Sequence, residues 1–127
     1  MALILPLVAM LSIGVVDLGR GFAARTDANH AAEAAARALS KSSSADYAGA
    51  AKAEDSGAWS AYSCTVPAKD PTVSGAGAPA NPLLPTPGTG GVIKVYVKCT
   101  LSLFTPLVKN ATGPVTIITV AVSRAAW

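Results

Sequence analysis

The sequence predicts an α+β protein, in which one long N-terminal helix (residues 1–40) precedes a small head (residues 41–127) built on an antiparallel sheet. Three observations support this prediction. The chain begins with an uncharged, apolar stretch that ends at Asp17. Alanine then recurs at every fourth position from Ala24, which is helical spacing. Residues 92–104 alternate between apolar and polar side chains, as expected of a strand with one buried face.

The composition indicates that part of the surface is hidden. Only 13% of the 127 residues are charged, about half the usual share of a soluble domain. A small protein with so little charge usually covers its surface with lipid or with other subunits. The net charge of +3 comes from 10 basic and 7 acidic residues. The basic residues form no run, so no nucleic-acid partner is expected.

The first part of the predicted helix is apolar on every side, so it must be buried in lipid or protein. Pro6 fits a helix that begins just before it, because first-turn N–H groups have no intrahelical partner. Gly14 weakens an isolated helix but lets another backbone approach closely. The candidate filament-packing positions here are Leu3, Leu7, Met10, Leu11, Gly14 and Val15.

The second part of the helix carries small residues on one face. Ala24, Ala28, Ala32 and Ala36 are predicted to let a neighbouring helix pack closely. A helix of this length reaches about 60 Å, far more than a head of this size needs for its own core. At the boundary, Asp17 and Arg20 have two interpretations: an ion pair that bridges subunits, or a pair at the membrane–water interface.

The predicted head contains a short helix and three strands. The helix covers residues 45–54, with Ser44 as its cap and Asp46 in its first turn. Residues 67–91 are rich in proline and glycine and are predicted to form a surface loop. In the last strand we expect Ile118, Val120 and Val122 to form the apolar face. The strands of this three-stranded antiparallel sheet are predicted at 59–66, 92–104 and 116–124.

Cys64 and Cys99 both fall on the apolar side of a predicted strand. If the chain leaves the cytoplasm, a disulfide between them is the better interpretation; otherwise they are two buried thiols. Two cysteines and a single histidine, His30, are too few for a structural zinc site. The sequence contains no phosphate-binding glycine loop and no Cys–His couple. We therefore expect no enzyme activity, no catalytic residue, no metal and no cofactor.

Three interpretations of the opening segment compete. A cleavable signal peptide would need a basic start and a small-x-small site, and neither is present. A simple anchor would reach about 24 Å from Met1 to Val16, a little short of the roughly 30 Å hydrocarbon core. It would also leave the alanine-rich extension unexplained. The third interpretation is a helix that first lies in the membrane and then packs against copies of itself, and this accounts for both halves.

The opening segment resembles the N-terminal block of TadE-type pilin-like proteins of the tight-adherence secretion system. The resemblance lies in Leu5-Pro6, in Asp17-Leu18-Gly19-Arg20 and in the alanine-rich stretch from Ala31 to Ala36. The segment VKCTLSLFTPLVKNATGPVTIITVAVSRA is also similar to the family's C-terminal strands and Thr-Pro-Leu turn. The glutamate that members usually carry before the apolar run would precede Met1, so its role is not assigned to any residue here.

The resemblance implies a pilin-like fold and a structural function. The chain would be inserted into the inner membrane, lose a leader, and be extracted by an ATPase-driven assembly machinery into a helical homo-oligomeric pilus on the cell surface, used for adhesion. Two alternatives stay open. One is a minor membrane-anchored pilin that primes or caps the fibre. The other is an anchored periplasmic or extracellular binding module whose loop 67–91 contacts a ligand.

Overall fold

The computed structural model of the chain describes residues 2–54, 62–101 and 115–127. The described elements are helices α1 (Ile4–Lys41) and α2 (Tyr47–Ala53) and strands β1 (Val92–Leu101) and β2 (Val115–Arg124). The two strands pair antiparallel in one sheet, and α1 packs against both. The predicted α+β class, a long N-terminal helix followed by a small antiparallel sheet, is confirmed.

Helix α1 is 38 residues long, about 57 Å at the usual rise. It begins at Ile4, so Pro6 lies in the first turn, where its missing N–H removes no intrahelical hydrogen bond. The helix ends where Ser42 adopts an extended backbone (φ −154°). Lys41 in the last turn places a positive charge near the negative end of the helix dipole.

Helix α2 is shorter than the predicted helix 45–54. Its cap is Asp46, whose Oδ1 accepts a hydrogen bond from the Gly49 N–H at 2.9 Å. The predicted cap, Ser44, is therefore wrong: it lies before the helix, and its own N–H bonds Ser42 Oγ at 3.3 Å. Glycine suits position 49 because a Cβ there would overlap the capping carboxylate.

Strands β1 and β2 pair in unbroken register from Val92 opposite Arg124 to Leu101 opposite Val115. The two corresponding predicted strands, 92–104 and 116–124, are thus found, although residues 102–104 lie outside the described part of the chain.

The predicted strand 59–66 differs from the structure. Its residues 59–61 lie outside the described residues, and the rest forms a single bridge, between Thr65 and Lys98. The left-handed backbone of Ser63 (φ 46°) interrupts the extended conformation, and Pro67 has no N–H to continue the ladder. Over the described residues the sheet therefore has two strands, where three were predicted.

The outer edge of β1 is covered by the chain that precedes it. Thr65 exchanges both backbone hydrogen bonds with Lys98 (2.8 and 2.9 Å), and Leu83 does so with Lys94 (2.9 and 3.1 Å). Between them the Asn81 side chain donates to the Tyr96 carbonyl at 3.0 Å and accepts from the Tyr96 N–H at 2.9 Å. Separate parts of the chain between Thr65 and Leu83 thereby take the place of a third strand.

The core lies between the second half of α1 and one face of the sheet. Cys64 and Cys99 are joined by a disulfide, as predicted for an exported chain, and it attaches the segment before the loop to the buried face of β1. The largest fully buried side chains are Leu39, Ile93, Val95, Val97 and Cys99.

Strand β2 presents the opposite face from the one predicted. Directly opposite residues in an antiparallel pair point to the same side of the sheet. Ala121 lies opposite buried Val95, and Thr119 lies opposite buried Val97, so both point towards α1. The expectation that Ile118, Val120 and Val122 form the buried face is therefore wrong, and all three are exposed.

Candidate functional site

The first half of α1 is exposed on all sides. From Leu3 to Val16 every described large aliphatic side chain is open to solvent, and so is Gly14. This includes all the predicted packing positions in this half, namely Leu3, Leu7, Met10, Leu11, Gly14 and Val15. The sheet comes near only the end of this half, where Leu101 and Val115 share a cleft with Gly14 and Asp17.

Such a surface is not stable in water. Burying one large aliphatic side chain contributes about 1.5–3 kcal/mol, and soluble monomers rarely expose a continuous apolar patch above a few hundred Å². Among the described residues, α1 is the one helix long and apolar enough to cross a membrane, and the chain itself buries none of its apolar window. This exposed apolar helix fits a segment that is inserted in a membrane.

The second half of α1 has a different role from the one predicted. Ala24, Ala28, Ala32 and Ala36 are only 0–2% exposed. The last three belong to the same hydrophobic core cluster as the β1 residues Ile93, Val95 and Val97. Their assignment as contacts for neighbouring helices is therefore wrong: small side chains here let the chain's own sheet approach the helix.

Asp17 and Arg20 mark the boundary between the two halves. Asp17 is only 9% exposed, in a cleft of about 640 Å³ between α1 and the sheet end formed by Leu101 and Val115. Arg20 is half-buried. Both residues already have interactions within the chain. An ion pair between subunits stays a prediction.

The described residues hold no cluster of histidine, cysteine or carboxylate side chains that could bind a metal. His30 is exposed, on the polar side of α1. Asp70 is also on the surface. Hydrogen bonds from the Thr72 hydroxyl (2.6 Å) and N–H (2.8 Å) hold the pKa of its carboxyl below the usual value, which is the behaviour of a turn residue.

Sequence reasoning missed the role of Asn81. Its side chain is buried and donates a further hydrogen bond to the Pro67 carbonyl at 2.6 Å. A single asparagine within a loop rich in proline and glycine is expected to be a turn residue. No local pattern shows that its amide will lie against a strand that begins eleven positions later, at Val92.

The comparison with known families finds a match that lies in the helix and does not extend into the head. The family model described as TadE-like protein matches residues 1–37. This range covers most of α1 and includes Leu5-Pro6 and Asp17-Leu18-Gly19-Arg20. The resemblance of the C-terminal strands lies outside the match and stays a prediction. No curated protein and no solved structure matches the chain. Its N-terminal 37 residues thus match the TadE-like family, which is consistent with a TadE-type protein of the tight-adherence pilus system.

Proposed function

We propose that this chain is a structural subunit of a tight-adherence pilus, without catalytic activity. It is held first in the inner membrane by the apolar half of α1. The assembly machinery then transfers it into an extracellular helical filament of identical subunits, which serves adhesion to surfaces.

The observation that carries the proposal is the division of α1. One face of its second half is covered by the sheet, while the large side chains of its first half are exposed in the described chain. A simple anchor needs only lipid around its apolar half. A filament subunit needs a surface that is stable in lipid and equally stable against neighbouring helices, since both are apolar. The match to TadE-like proteins covers this helix and supports the second use.

The buried alanines limit how the filament can be built. Because Ala24, Ala28, Ala32 and Ala36 are already buried within the chain, they offer no surface to a neighbour. Contacts between subunits must therefore use the large aliphatic side chains of the apolar half. Gly14 is the position there where two helix backbones can approach most closely.

The substitution Gly14→Leu tests this directly. Apart from its chain neighbours and the backbone of its own helix, a Cβ at Gly14 meets no atom of the described residues within 4 Å, so the head should fold unchanged. Leucine favours membrane insertion, so the precursor should accumulate normally. In the filament the added side chain separates the helices. We expect cells producing the variant to have membrane-inserted protein but at least tenfold fewer fibres, counted by electron microscopy.

Gly77→Leu is the matched control, because a Cβ at this loop position also meets nothing within 4 Å. It should leave the fibre count unchanged. Normal fibres from Gly14→Leu would contradict helix packing at this position. Antibody labelling of sheared wild-type fibres separates the remaining roles. Label along the whole fibre supports the proposal, label at one end alone indicates a priming or capping subunit, and unlabelled fibres indicate an anchored binding module.

A further inference from the structure

The two edges of the sheet differ in whether the described residues cover them. The edge of β1 is closed by Thr65, Asn81 and Leu83. The edge of β2 is bare over the described residues. An uncovered strand edge presents unpaired N–H and C=O groups, which invite pairing with another strand. Proteins usually guard such an edge with proline, a charged side chain or a bulge. Strand β2 contains no proline, its register with β1 is unbroken, and its one charged residue, Arg124, stands at its last position.

The direction of each backbone group on β2 follows from β1. Along a strand, alternate residues point their N–H and C=O groups to opposite neighbours. On β1, Lys94, Tyr96 and Lys98 point theirs at the loop, so the residues between them bond β2. By the register, Thr119 and Ala121 return those bonds. The residues whose groups point outward are therefore Thr116, Ile118, Val120, Val122 and Arg124.

The chain end confirms this direction. The Ala125 N–H bonds the Gly91 carbonyl on the β1 side at 3.0 Å, and the next N–H, of Ala126, bonds Ser40 at the end of α1 at 2.9 Å. No described residue makes a backbone hydrogen bond to the outward groups that precede Ala126.

The surroundings of the edge specify the side chains of an added strand. On the exposed face, the added strand would lie beside Ile118, Val120 and Val122. Apolar side chains opposite these β-branched residues would stabilise the pairing. On the face towards α1 a groove of about 410 Å³ separates β2 from the helix. Its helix side carries Asn29 and the Glu33–Arg37 ion pair (3.2 Å), which favour polar side chains.

A second copy of this chain does not fit the edge. The closed edge of β1 prevents head-to-tail pairing of sheets. Strand β2 runs in the direction of α1, since Val115 lies beside Asp17 and Ala126 beside Ser40. Antiparallel pairing of two β2 strands would therefore direct the two apolar helix halves oppositely, so one membrane could not hold both. Parallel pairing would turn the copy over and place its aliphatic face against the polar groove.

We propose that the outer edge of β2 is a docking site for an extended strand of a different protein, in which aliphatic and polar residues alternate. The aliphatic residues lie beside Val120 on the exposed face, and the polar ones enter the groove along α1. Main-chain hydrogen bonds supply the affinity, and the alternation supplies the specificity. This inference does not require the chain to form a filament.

The probe is a fluorescent synthetic peptide of about ten residues, the usual length of a long strand, in which valine alternates with threonine, lysine and glutamate. Binding to the full chain in detergent is measured by fluorescence anisotropy. The Val120→Pro substitution removes one outward N–H and keeps the β1 ladder, as proline permits on an edge. We expect it to weaken binding about tenfold or more.

A second variant, Val120→Thr, removes an aliphatic neighbour of the added strand and should also weaken binding. Its control is Val73→Thr, because the two valines are similarly exposed (45% for Val73 and 49% for Val120). Val73→Thr should leave binding unchanged.

Two N-methylated peptides decide the matter even if Val120→Pro does not fold. One carries methyl groups on the valine amides and the other on the remaining amides, so each blocks one edge of the peptide. The proposal expects one of them to lose binding to the wild-type chain and the other to retain it. Equal binding of both, or no binding of the unmodified peptide, overturns it. So does a wild-type chain that doubles its mass in light scattering unless Val120 is replaced by proline, since the occupant would then be a second copy. Normal or absent fibres in cells do not affect this measurement.

Discussion

Each half of α1 has an apolar surface, yet the two surfaces differ in side-chain size and in what covers them. The first half carries large leucine, isoleucine, valine and methionine side chains, and these are exposed. The second half places alanines on one face, and the sheet lies directly on them. One continuous helix thus joins a surface built for outside partners to a surface built for its own head. Side-chain size, rather than hydrophobicity alone, distinguishes the two: small residues indicate the close intramolecular contact.

The largest expected difference between the halves is at two leucines. Leu39 is 0% exposed and Leu11 is 63% exposed. Leu39→Ala removes core contacts and leaves a cavity, so the free energy of unfolding should fall by about 2–5 kcal/mol. Leu11→Ala should leave it within about 0.5 kcal/mol of the wild type. Thermal unfolding of the full chain in detergent, followed by circular dichroism, measures both. Equal losses would mean that the apolar half also supports the head.

A smaller difference is expected when a small residue in each half is enlarged. Ala32→Leu forces a larger side chain between α1 and the sheet, and such overpacking lowers the free energy of unfolding by about 1–3 kcal/mol. Gly14→Leu meets open space and should not lower the stability of the head. The same unfolding measurement applies. If Ala32→Leu were tolerated like Gly14→Leu, the alanines would not set the distance between helix and sheet.

The smallest expected effect is a gain in stability. Thr119 faces α1, and its buried hydroxyl has no hydrogen-bond partner among the described residues. Thr119→Val keeps the shape and removes the unsatisfied group, so the free energy of unfolding should rise by about 1 kcal/mol. Thr116→Val, at an exposed position of the same strand, should change it by less than about 0.5 kcal/mol. A loss of stability in Thr119→Val would show that the hydroxyl is satisfied in the folded protein.

Local patterns were sufficient for the elements but not for all of their contacts. The alanine spacing from Ala24 and the alternation in 92–104 predicted α1 and β1, because a helix and a strand each impose their own period on the side chains. The same reasoning failed on β2. There Ile118, Val120 and Val122 form the more apolar row, but Thr119 and Ala121 are the residues that face the helix. The space beside the alanines favours small side chains, and that space does not show in the strand's own sequence.

The contacts of the loop with β1 could not be predicted from the sequence either. Proline and glycine predicted an irregular surface segment, and the segment is irregular. Its use as cover for β1 depends on Asn81, whose amide hydrogen-bonds a strand residue 15 positions away. Such a contact has no periodicity and no fixed spacing. For the same reason, no local pattern shows that the described residues cover the edge of β1 and leave the edge of β2 uncovered.

The order of residues was enough to predict a long helix with an uncovered apolar half, a strand with one buried face and a cysteine pair, because these depend on periodicity and composition. Folding in three dimensions settled which face of β2 is buried, what the alanines contact and which sheet edge the described residues leave open. These outcomes depend on how elements distant in sequence fit together, and that fit is set by the volumes and hydrogen-bonding groups that each element presents to the others.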